Sequence, residues 1–124
     1  MRESRFWTWH LIAGALIFVL LGLHMLVMHF DALVGFMNPA GHEATAWENV
    51  VHRARILFFT VSYIVLLGAA LYHGLYGTRI LLFELNLPPA WRRVVSGALV
   101  VVGLALFALG AVANIIVHTT HAGG

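Results

Sequence analysis

His73, Gly77, Arg79 and Glu84 follow one another in a single apolar stretch, at steps of four, two and five residues. On an α-helix Gly77 lies about 40° and Glu84 about 20° round the axis from His73, so the three share a stripe. An imidazole inside a hydrocarbon span is costly to keep, and polar groups found there mark functional sites by default. A residue without a side chain one turn away leaves room for a flat macrocycle. The combination suits His73 as an axial ligand to haem iron, with the porphyrin lying against Gly77. His73 is ~16 Å in from Glu84, close to mid-bilayer. Arg79 starts on a different face, but its side chain is long enough to bend toward a haem propionate at the membrane edge. The rival reading of His73, a polar residue hydrogen-bonding a neighbouring helix, is disfavoured by that depth.

The elements that carry these residues are legible in the composition. Of 124 residues 61% are hydrophobic and 10% charged, and the mean hydropathy is +0.91, which places the chain among integral membrane proteins. Apolar stretches at 9–30, 56–83 and 94–117 each reach the ~20 residues needed to cross the bilayer. The expected fold is all-α, one membrane domain over 1–124, with helices at about 7–30, 46–85 and 90–118. An unbroken helix over 46–85 would be ~60 Å long, so its first turns must stand outside the hydrocarbon or lie along its surface. Thr45 is placed to N-cap it, with Glu48 closing a capping box. Asn86, Leu87, Pro88 and Pro89 must end it. The stretch 31–44 reads as loop. The first span exceeds a signal-peptide core and no small-residue cleavage site follows it, so it is expected to be retained.

All seven basic residues are arginine. Arg2, Arg5, Arg79, Arg92 and Arg93 fall on one side of the three spans, and Arg53 and Arg55 on the other. This imbalance puts the N-terminus in the cytoplasm and the C-terminus outside; the expected location is the inner (cytoplasmic) membrane, as a multi-pass protein. The basic balance thus reports topology and lipid contact rather than nucleic acid. Phe6, Trp7 and Trp9 form an aromatic belt where the first helix enters the membrane. Ser96, Gly103 and Gly110 recur at heptad spacing in the third helix and suit close packing of another helix.

The remaining histidines divide by position. His24 shares a first-helix stripe with His10, Gly14, Ile17, Leu21 and Met28 and lies toward the outer leaflet, where ligand and structural roles are evenly matched. His29 points ~140° away from it and suits an interfacial role. His10, beside Trp7 and Trp9 near the cytoplasmic interface, could donate to a quinone carbonyl or meet headgroups. His42 and His52 belong to the outer loop region, and His118 and His121 are spaced to share a metal but lack a carboxylate neighbour. The absence of cysteine excludes iron–sulfur clusters, thiolate ligation and disulfides within this chain. No nucleophile–base pair, intramembrane carboxylate pair, phosphate loop or zinc spacing is present, so a complete catalytic centre is not expected. Three spans also supply too few facing histidines to close a bis-histidine site, so partner helices must contribute.

The pattern His73, Gly77, Arg79, Glu84, the run Tyr72-His73-Gly74-Leu75-Tyr76-Gly77, and His10, Gly14 and His24 in the first helix together resemble the cytochrome b membrane anchors of succinate:quinone oxidoreductases and quinol:fumarate reductases. Glutamate stands where that family commonly has aspartate, and Ala13 and Leu11 stand where single-haem relatives have a serine and an arginine near the quinone. The resemblance spans the first two helices. It implies haem b, one or two, with His73 ligating the haem nearer the cytoplasm and His24 a distal one, and Arg79 on a propionate. Quinone is implied as substrate, with His10 and Trp9 as candidate contacts. It implies four partners: a second small anchor subunit, an iron–sulfur subunit, a flavoprotein subunit and membrane lipid. Two alternatives remain open at this point: the cytochrome b subunit of a hydrogenase or formate dehydrogenase, and a haem-free anchor or small transporter subunit.

Overall fold

A computed structural model describes residues 2–30, 35, 41, 43 and 45–122. Most of the loop expected over 31–44, His42 included, lies outside them. The described chain forms four helices: α1 (Arg2–His29), α2 (Trp47–Ala54), α3 (Leu57–Phe83) and α4 (Pro89–Ala122). Three of them, α1, α3 and α4, are long and apolar enough to cross a membrane. The molecule is an all-helical, multi-pass membrane protein.

The central helix is α3, which packs against α1 on one side and α4 on the other. The outer faces of all three carry exposed leucine, valine and phenylalanine, as helices that meet lipid tails require. Small residues set the α3–α4 approach. Leu75 lies over Gly103, Leu67 over Gly110, and Phe107 reaches Gly68 at 3.2 Å from where a Cβ would stand. The heptad glycines of α4 therefore do pack against a helix, and that helix is α3.

At one end α3 stops at Phe83, Asn86 takes a positive φ of 54°, and α4 begins on Pro89. An asparagine tolerates the left-handed region, and proline at the first helical position loses no hydrogen bond. The double-proline stop thus acts where it was expected.

At the other end two expectations need correction. The single helix foreseen over 46–85 is two, α2 and α3, broken at Arg55 and Ile56, where Ile56 is extended (φ −90°, ψ 114°). No proline or glycine marks the break. The freed carbonyl of Ala54 is instead taken by the Thr60 hydroxyl at 3.1 Å and by His118 Nδ1–H of α4 at 2.6 Å. Nor does Thr45 cap α2. The N-cap is Ala46, which has no side-chain cap bond, so Thr45 sits one residue too early. The wholly buried Asn49 does the anchoring, donating to the carbonyls of Glu43 at 2.8 Å and Gly41 at 3.2 Å.

Candidate functional site: a paired histidine centre between α1 and α3

His10 is eight residues from the start of α1 and His73 ten residues from the end of α3, or ~12 and ~15 Å along antiparallel helices. The two therefore meet at one level. Their rings stack with centroids 4.0 Å apart and an interplanar angle of 3°. Trp7 extends the stack behind His10 at 5.3 Å. Each helix contributes a histidine and, four residues on, a glycine, and the pairs cross. A Cβ on Gly77 would stand 3.4 Å from His10 Cε1, while a Cβ on Gly14 would stand 3.1 Å from His73 Cε1 and 3.3 Å from Nδ1. The space beside Gly77, expected to take a porphyrin, is instead faced by the His10 ring. The notch that serves His73 is Gly14, on the other helix.

Gly14 lets the His73 ring reach the main chain of α1, where its Nδ1–H donates to the His10 carbonyl at 3.0 Å. A carbonyl can only accept, so Nδ1 carries a proton, and a neutral ring in this tautomer has its lone pair on Nε2. Among the described residues Nε2 of His73 makes no hydrogen bond. Gly74, next in the chain, has open space where a side chain would stand. A histidine held by one nitrogen with the other free is the usual arrangement of a metal-ligating imidazole. Stacked rings do not aim their nitrogens at a common point from opposite sides. His10 and His73 therefore do not fit as the two axial ligands of one iron, whereas His73 alone fits as one of them.

Around this centre α3 is tied on both sides. The Tyr72 hydroxyl donates to the Phe6 carbonyl of α1 at 2.9 Å. Arg79 Nε donates to Ser96 Oγ of α4 at 3.1 Å, its guanidinium lies over Phe83 at 4.5 Å, and it approaches the Glu3 carboxylate at 3.6 Å. Arg79 thus faces a groove of about 430 Å³ between α3 and α4, lined by Tyr72, Tyr76, Ser96, Leu99 and Phe107 among others, and roofed by Phe6. This face is ~120° from His73 round α3.

His24 is 14 residues beyond His10 on α1, ~21 Å further through the membrane. It meets Tyr63 edge-on at 5.8 Å among Leu20, Val27 and Phe59, and its buried Nδ1 has no hydrogen-bond partner. The structure does not bring it together with His73. Trp9 and His10 also separate: Trp9 lines a shallow groove of about 240 Å³ with Ala13, Leu16, Val65, Ala69 and Tyr72, while His10 turns onto His73. His118 supports the α2–α3 break, and His121 bonds its own helix at Val117 and meets the Trp47 ring at 6.1 Å. Among the described residues no cluster of three or more histidines or carboxylates is placed to hold a bare metal ion, a requirement that a single axial imidazole does not have.

No family model, curated protein or solved structure matches this chain. Residue chemistry and geometry therefore carry the functional argument.

Proposed function

We propose that this chain is a haem b-binding membrane anchor of a succinate:quinone oxidoreductase-type complex. It would relay electrons between iron–sulfur and flavin subunits on the cytoplasmic face of the inner membrane and quinone in the bilayer. The observation that carries the reading is the His73 imidazole, fixed through Nδ1 to the α1 main chain with Nε2 left open at a depth where unused polar groups are rare. Bound there, a haem supplies a one-electron station whose potential is set by its ligands and burial. His73 would hold its iron from one side, and a second small anchor subunit would supply the opposite ligand, since His10 is stacked rather than opposed. His24 is the candidate ligand for a second, distal haem. Arg79 faces α4 and would reach a propionate only by leaving both the Ser96 hydroxyl and Glu3, the latter a long contact to a largely exposed carboxylate of the kind worth little to stability. For quinone, Trp9 has a groove beside it, which Tyr72 also lines, while His10 is turned away onto His73.

The test is a reduced-minus-oxidised spectrum of the protein purified with its membrane partners. A b-type band supports the proposal, and its absence would favour a haem-free anchor. Identification of the co-purifying soluble subunits separates succinate or fumarate chemistry from a hydrogenase or formate dehydrogenase. His24→Ala distinguishes two haems from one: loss of part of the band assigns a haem to His24, and an unchanged band removes it from the site.

A further inference from the structure

Gly14 has no place among the haem ligands, yet it controls the one bond that orients His73. We infer that Gly14 is a positioning residue. By keeping α1 bare opposite His73 it lets Nδ1–H reach the His10 carbonyl, and that bond makes Nε2 a stronger donor to iron and lowers the potential of the bound haem. This rests on the haem reading proposed above. The bond is 3.0 Å long, and the space a Cβ on Gly14 would take is 3.3 Å from Nδ1 and 3.1 Å from Cε1. Alanine there would push the ring away from α1 by a few tenths of an ångström and stretch the bond. His10, stacked on the ring at 4.0 Å, limits how far it can shift. Partners of this second kind, which bond the far nitrogen of a ligating histidine, fix its tautomer and raise its basicity. A more basic imidazole favours the ferric state, so weakening the bond raises the potential.

Two measurements test this. In the haem-free full chain with ¹⁵N-labelled histidine, the ring-nitrogen shifts of His73 should show the proton on Nδ1. A proton on Nε2 would overturn the inference whether or not haem is ever bound. In the complex, Gly14→Ala should still take up haem but retain it roughly tenfold less tightly. It should also shift the oxidised-to-reduced ratio at fixed poise about tenfold toward reduced, equivalent to about 59 mV upward for one electron. Gly22→Ala, on the same helix with nothing near its would-be side chain, controls for the added methyl group. If Gly14→Ala gives the potential and retention of Gly22→Ala, the positioning role is refuted. If the unaltered complex holds no haem, the haem reading fails, while the tautomer measurement still judges the geometry.

Discussion

Two histidines in this protein make the same bond at different levels of the bundle. His118 Nδ1 donates to the Ala54 carbonyl and His73 Nδ1 donates to the His10 carbonyl. Their acceptors differ. Ala54 ends α2, where the chain breaks before α3, so its carbonyl has no helical partner and would be left unsatisfied in an apolar place. His118 and Thr60 supply what the break removed. His10 lies inside an unbroken α1, so its carbonyl already has a helical partner in the Gly14 N–H. His73 satisfies nothing that was wanting. The fold explains the first histidine completely. In the second it explains only why the ring is held, and it leaves Nε2 without a partner.

The surroundings sharpen the contrast. The α2 end holds the buried Asn49 and Arg53 and the packed Val51, Ala54, Phe59 and Thr60. The region around His73 is built from half-buried rings set against glycines, beside open grooves. One region is closed by its own side chains, and the other leaves an imidazole nitrogen and its neighbouring grooves open.

Substitutions can break this contrast or refine it. Asn49→Ala should have the largest effect, because it removes two hydrogen bonds made by a wholly buried side chain. Thermal unfolding of the chain in detergent should show a loss of about 2–3 kcal/mol. His118→Ala should come next, at up to about 1.7 kcal/mol, and should leave any haem in place, as absorbance per chain would show. If it removed haem instead, the division between a structural and a ligating histidine would be wrong. In the haem-free chain His73→Ala should cost only about 0.6 kcal/mol, the average for a hydrogen bond between membrane helices, because the His10 carbonyl keeps its helical partner. A penalty above that of His118→Ala would make His73 a structural residue after all. Smallest of all, Gly97→Ala, with open space at its side-chain position, should stabilise α4 by up to about 1 kcal/mol or leave it unchanged. A clear loss would mean that this face of α4 is covered in the assembled protein.

The three spans were legible because hydrocarbon thickness sets a length that any apolar run either reaches or misses. The turn at Pro88 and Pro89 was legible because proline acts locally. The break at Arg55 and Ile56 was not, since what compensates it is a threonine four residues on and a histidine more than sixty residues away. Thr45 failed as a cap for a related reason: the signature places a helix start to within a residue or so, and Asn49 settles it through contacts back to Gly41 and Glu43. Arg53 counted as an outward-side charge, and nothing in its neighbours signals its burial.

Within the site, the place of His73 inside a long apolar helix, ten residues from its end, could be read directly. The repeated spacing His10–Gly14 and His73–Gly77 was also visible, but not that the pairs cross. Which glycine clears space for which histidine depends on the register of two antiparallel helices, and intrahelical spacing carries no information about that. The same limit hid the separation of Trp9 from His10, and Arg79's turn toward Ser96.

The account rests on His73 as a ligand to haem iron, and haem content per chain tests this most directly. With the complex purified from membranes carrying His73→Ala, the chain and its partners should still be recovered together, with one haem fewer than in the unaltered complex. Recovery of the same haem content, with the same reduced-minus-oxidised spectrum, would contradict it.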